Sequence, residues 1–331
     1  MDRKRLWHIF SRGLEYSITF FLILIINFFI PRTMPGGPLL SITGSQNADL
    51  PVVLDEETKY ELMEYYHLND PLHIQFMQYM ADAAQLDFGY SITHNIPVLD
   101  IILGRLPWTI LLMGSALVFS TFFGIALGIE SGWNRGRKLD HALLMIMPVL
   151  RSIPPFFLGA LMIFVFSYRM GWFPLSGALT PYIDYTGMAD QVRDIFSHLA
   201  LPMLCLAAFE MPGTYLLVRN VCVQQMEKPY VLMATARGLK ERNIKKHVLI
   251  NSTVPVVNQI AAMLGFLVGG AVFIETVFSY PGMGMLVYNS FIERDYPVLQ
   301  GAFIFMSLCV LACNYAADIA CSYIDGRAGQ E

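Results

Sequence analysis

Long uninterrupted apolar runs separate the charged positions of this chain. Stretches 106–129, 247–274 and 296–317 hold no charged residue at all. A helix that crosses a bilayer needs about 20 such positions. The pattern predicts six spans, over about 15–30, 106–129, 141–168, 199–218, 248–274 and 297–317. The third is interrupted by Arg151 and Pro154–Pro155, and the fourth contains Glu210 and then Pro212. Between the first two spans lie some 70 residues, 33–104, too polar to span and too long for a bare loop. A short helix is predicted there over 55–66, with Asp55 as N-cap and acids in its first turn. A second polar loop covers roughly 170–195.

Composition agrees with the pattern. Of the 331 residues, 55% are hydrophobic and 15% charged, against roughly 25% charged in soluble domains. A soluble enzyme of this length and a disordered chain are both excluded. The placement of charge sets an orientation. Arg3, Lys4, Arg5 and Arg12 precede the first run, which ends at Pro31–Arg32 without a small-residue cleavage site, so an uncleaved helix is expected. Segment 33–104 has ten acids and one basic residue, Lys59. Basic residues gather instead at Arg135, Arg137 and Lys138, and again over 219–246. The positive-inside rule then puts 33–104 outside and both termini in the cytoplasm.

Chemistry of its own is not expected. None of the seven lysines is followed by Ser or Thr, so a phosphate-binding GxxxxGK[ST] loop is missing. HExxH and GxSxG are missing too. The five cysteines form no CxxC pair and read as small buried hydrophobes. No metal site, resident cofactor or nucleic-acid partner is expected.

The most informative stretch runs from Tyr230 to Asn243: small residues at Ala234, Ala236 and Gly238, then a basic run. It reads as a short helix, a turn that Gly238 permits, and a second helix along the membrane surface. Tyr230, Val231 and Leu239 are candidate anchors for a partner's cleft. A basic loop resting on anionic headgroups is the alternative.

Tyr230, Ala234, Ala236, Arg237, Gly238 and Leu239, followed by His247, Asn251 and Pro255, resemble the cytoplasmic-loop signature of ABC importer permeases of the dipeptide, oligopeptide and nickel branch. Further motifs resemble that family in order along the chain. They are Met34-Pro-Gly-Gly-Pro38, Leu68-Asn-Asp-Pro71, Leu86-Asp-Phe-Gly-Tyr-Ser91, Arg105-Leu-Pro-Trp-Thr109, Ser152-Ile-Pro154 and Gly171-Trp-Phe-Pro174. The stretch 269–279 with Glu275, then Pro281, Gly282 and Gly284, and Arg294-Asp-Tyr-Pro-Val298, complete the set. Pro229, Thr235, Gly37 and Asp325-Gly-Arg327 depart from the usual pattern.

The resemblance implies an all-α, polytopic membrane protein with six transmembrane helices of the type I ABC importer permease fold. Its parts would be 1–32 (cytoplasmic N-terminus and first helix), 33–104 (external) and 105–331 (core permease, with a coupling helix near 228–246). It implies a second homologous permease, two ATPase subunits that bind ATP and Mg, and an external substrate-binding protein. The implied work is peptide import across the cytoplasmic membrane of a prokaryote by alternating access. Nickel or metal-chelate import is the alternative within the family, and a secondary carrier the alternative outside it. Tyr230, Ala234, Ala236, Arg237, Gly238 and Leu239 would couple to the ATPase. Arg151, Glu210, Glu275, Pro281 and Gly282 would belong to the translocation path or gate, because charges within apolar spans face a cavity or a partner. A structural ion pair is the other reading of Arg151 and Glu210. The acidic external segment reads either as a docking face for the binding protein or as ordinary solvated surface.

Overall fold

A computed structural model describes residues 3–33, 70–251 and 272–324. The expected helix over 55–66, most of the fifth span and the motif at 325–327 lie outside the described residues. Within them every regular element is a helix, joined by turns and loops, and one isolated antiparallel bridge links Tyr90 and Pro97.

Among the described residues, four helices are long and apolar enough to cross a membrane: α1 (Arg3–Thr33), α3 (Val98–Trp133), α6 (Met188–Met226) and α10 (Tyr296–Ile324). All extend beyond the apolar windows of the sequence, because polar residues continue a helix once its apolar part is anchored. The third span is broken. Helix α4 (Lys138–Ser152) and helix α5 (Pro155–Met162), which a π-helical segment (Ile163–Arg169) continues, meet at 100°. The break follows from Pro154 and Pro155: Ile153 is pushed to extended backbone (ψ 124°), and Pro155 opens the next helix, where its missing N–H costs nothing.

Helices α3 and α6 form the centre. Ala116, Ser120, Gly124, Gly128 and Gly132 recur every fourth position on the buried face of α3. A methyl group on Gly128 would stand 2.8 Å from Val218 Cβ and 2.9 Å from the Tyr215 carbonyl oxygen. At Gly124 it would meet Thr214, and at Gly132 Cys222. Small residues let two backbones approach, and packing then holds helices together where lipid supplies no hydrophobic drive.

Helix α2 (Leu72–Ala84), absent from the sequence expectations, lies against α1 through Phe28, Phe76 and Tyr79. Asn27 is buried and donates to Tyr79 Oη (3.1 Å) and the Gln300 carbonyl (3.0 Å), joining α1 to α2 and α10. Burial pushes the Tyr79 hydroxyl up to about 12, so it stays protonated. The loop before α3 is held by buried Asp295, which accepts from Ser91 Oγ (2.5 Å) and from the amides of Ile92 and Thr93 (3.2 Å each). The described part of 33–104 is therefore fastened to the helices rather than standing apart.

Candidate functional site

Three of the motifs meet at one carboxylate. Segment 272–277 is helical, and Glu275 on it is fully buried. Its Oε1 accepts from Thr109 Oγ1 at 2.7 Å. Its Oε2 accepts from the amides of Gly284 (2.7 Å) and Met285 (3.0 Å), in the first turn of the helix Met283–Glu293. Thr109 in turn accepts from the Met283 amide at 2.7 Å. Free N–H groups and the positive end of a helix dipole favour an anion there. Glu275 thus ties α3 to the helix that begins at Met283. Gly282 turns the chain beside it, and a methyl group on Gly282 would overlap the Glu275 carboxylate. Pro281 precedes this turn, and Tyr280 packs edge-on to Trp108 at 6.0 Å.

Arg151 and Glu210 sit on neighbouring helices. Arg151 is exposed in the last turn of α4, and Glu210 is half-buried on α6. The Arg151 guanidinium lies over Gly213, so that a methyl group there would overlap it. Gly213 is one turn from Glu210, which puts opposite charges at the same level of the α4–α6 boundary.

The segment between α6 and the fifth span folds as two helices around a turn. Helix α7 (Pro229–Ala236) starts with proline at its first position, after extended Lys228. It ends in a closed cap. Gly238 takes φ +71°; its amide donates to the Thr235 carbonyl (2.9 Å), and the Leu239 amide donates to the Ala234 carbonyl (3.2 Å). This paired 5→2 and 6→1 bonding is the Schellman motif, which favours glycine at the left-handed position. Helix α8 (Glu241–Asn251) follows, and the helix that begins at Met283 is α9 (Met283–Glu293).

The orientation of α7 corrects the anchors expected from sequence. Val231 is buried, and Tyr230 packs with it in a cluster with Cys222, Ile244 and Val248. Tyr230 Oη also donates to Gln225 Oε1 at 3.1 Å. These two side chains hold α7 to its own protein and do not reach outward. The outward apolar surface is Leu232 (78% exposed) and Met233 (56%), with Leu239 less exposed, beside exposed Ala236 and Arg237. Leu232 and Met233 were missed in the sequence. Their signal was their place in the same turn as Val231, on the opposite side.

Where α3, α4 and α6 meet, Asp140 and Arg219 form a second buried polar centre with Ser131 and Tyr215. Sequence reading singled out none of its pairings.

Apolar helices packed backbone to backbone, a broken span and a capped surface hairpin define a polytopic membrane permease. The chain belongs to the family described as the binding-protein-dependent transport system inner membrane component, whose profile matches residues 120–330. It is 30% identical to the oligopeptide transport system permease protein AppB of Bacillus subtilis (strain 168), over 92% of this chain and 93% of that protein. It is 33% identical to a putative peptide permease protein of Brucella suis biovar 1, over 92% of each chain. It is also 33% identical to the glutathione transport system permease protein GsiC of Escherichia coli (strain K12), over 94% of this chain and 95% of that one. A solved structure of the MetNI methionine ABC transporter, inward-facing, has the same fold: TM-score 0.54 at 19% identity, covering 68% of this chain and 96% of that chain.

Proposed function

We propose that this chain is the permease subunit of an importer for peptides, and that α7 with the Gly238 turn takes work from an ATPase subunit. The relatives named for oligopeptide, peptide and glutathione transport support a peptide over nickel. The observation that carries the coupling role is the two-sidedness of α7. Val231 and Tyr230 fasten it to α6 and α8, while Leu232 and Met233 lie open to a groove on another protein. A push on α7 then reaches α6 through the cluster, and α3 through the glycine contacts.

In this reading two ATPase subunits bind ATP and Mg, and a second permease completes the path. An external binding protein delivers the peptide, and both termini face the cytoplasm. Arg151 and Glu210 line the path, where a peptide's carboxylate and amine would meet opposite charges. Glu275 and the Pro281–Gly282 turn set the outer gate as a fixed joint, since both carboxylate oxygens are engaged within the chain.

The test is purification in mild detergent followed by reconstitution. Two ATPases, a second permease and a binding protein are expected to co-purify, and proteoliposomes to accumulate labelled peptide only with ATP. Accumulation of nickel but not peptide would overturn the substrate. Uptake by the chain alone, driven by an ion gradient, would overturn the class.

A further inference from the structure

We infer that the cytoplasmic end of α3 and the start of α8 form a binding site for an anionic phospholipid headgroup. A groove of about 780 Å³ opens there, lined by Ile129, Lys240, Arg242, Asn243, Lys245 and Lys246. Its apolar floor, Ile129, belongs to a helix that crosses the membrane. Trp133, one turn further on, marks the level of the interface, where indole rings are enriched. The Trp133 indole N–H donates to Glu241 Oε1 at 2.5 Å, and Lys245 Nζ lies 5.9 Å from its ring. The groove therefore stands at headgroup height, with apolar surface below and cations around it.

The charges there are not balanced by the chain. Lys245 pairs with Glu130 at 2.7 Å, and Glu241 accepts from Trp133. Among the described residues, no carboxylate pairs with Lys240, Arg242 or Lys246, and all three are exposed. They flank the N-terminal turn of α8, the positive end of its dipole, in which Glu241 is the one acid. A phosphodiester on a diacylglycerol satisfies both halves of this site: the phosphate meets the cations and an acyl chain runs along α3. Each basic side chain near an anionic surface adds to the attraction. The bound lipid would hold α8, and with it the Gly238 turn, at a fixed depth.

The experiment is native mass spectrometry of the full-length chain in mild detergent, titrated with phosphatidylglycerol or phosphatidylcholine. Phosphatidylglycerol is expected to be retained and phosphatidylcholine shed. Lys240→Gln/Arg242→Gln/Lys246→Gln is expected to weaken phosphatidylglycerol on the order of 100-fold, at about fivefold per cation. Arg242→Gln alone is expected to weaken it about fivefold, which keeps the test decisive if the triple variant misfolds. Lys138→Gln, an exposed cation outside the groove, is expected to bind as the parent does. Equal retention in the parent and both groove variants would overturn the proposal. So would displacement of the lipid by inorganic phosphate, which would mark a site for a free anion. Unchanged lipid with loss of co-purifying protein subunits would assign the patch to a protein partner and overturn it as well.

Discussion

Arg219 grips Asp140 at two points, Nε to Oδ1 at 2.6 Å and Nη2 to Oδ2 at 2.9 Å, and so ties the first turn of α4 to α6. Asp140 is 2% exposed and also accepts from Ser131 Oγ (2.6 Å) and the Gly136 amide (2.9 Å). Every acceptor site is used, and the fork geometry is one that lysine cannot copy.

Asp140→Ala is therefore expected to destabilise the chain by about 3–5 kcal/mol, because it leaves a nearly buried guanidinium without a counter-charge. The double variant Asp140→Ala/Arg219→Met is expected to lose less than the single one. Thermal unfolding of both in detergent checks this, and a double variant as unstable as the single would refute it.

The glycine contacts make a graded series. Gly128→Leu is expected to abolish accumulation of folded protein, since even one methyl group meets Val218 and the Tyr215 carbonyl. Gly104→Ala and Gly114→Ala, where nothing lies within 4 Å, are expected to be neutral or to stabilise by up to ~1 kcal/mol. Yield and melting temperature of the three variants report the contrast.

Glu275→Gln keeps the shape of the joint between α3 and α9 but removes its carboxylate. The replacement amide offers only one acceptor oxygen to the Thr109 hydroxyl and the Gly284 and Met285 amides. A loss of about 1–3 kcal/mol is expected, read by thermal unfolding. Glu275→Ala is expected to cost more, leaving two α9 amides unpaired.

On the proposed coupling role, Gly238→Val is expected to insert normally and to lose uptake while ATP hydrolysis by the assembled complex continues. The strain of a left-handed β-branched residue is about 1–2 kcal/mol, small enough for the rest of the fold to survive. Leu232→Asp should release the ATPase subunits without lowering the melting temperature, because the side chain is exposed. Tyr230→Ala should lower the melting temperature first. Intact ATPase binding by Leu232→Asp would sink the orientation given to α7.

Different parts of this arrangement were legible to different degrees. The spans that fall on described residues were, because an apolar run of bilayer length leaves few alternatives; so was the break at Pro154–Pro155. The glycine ladder was printed as Gly124, Gly128 and Gly132 and still went unread, since such spacing acquires meaning only when α6 supplies Val218 and Cys222 opposite. The pairing of Asp140 with Arg219 crosses 79 positions of sequence, and no local pattern carries it. For α7, the inward face is chosen by Cys222, Ile244 and Val248, three residues that lie outside it. Eight residues of mostly apolar helix do not say which side is inside. Glu275 was marked by resemblance, but its cap on α9 depends on Thr109, far away in the chain.

The glycine ladder has a mechanical consequence. Where two helices touch through their backbones, no layer of side chains lies between them to be re-sorted, and such a contact has no second arrangement to settle into. The α3–α6 pair must travel as an axle, keeping its own shape while other parts swing about it. Flexure is left to places of a different make, first among them the 100° elbow at Pro154–Pro155.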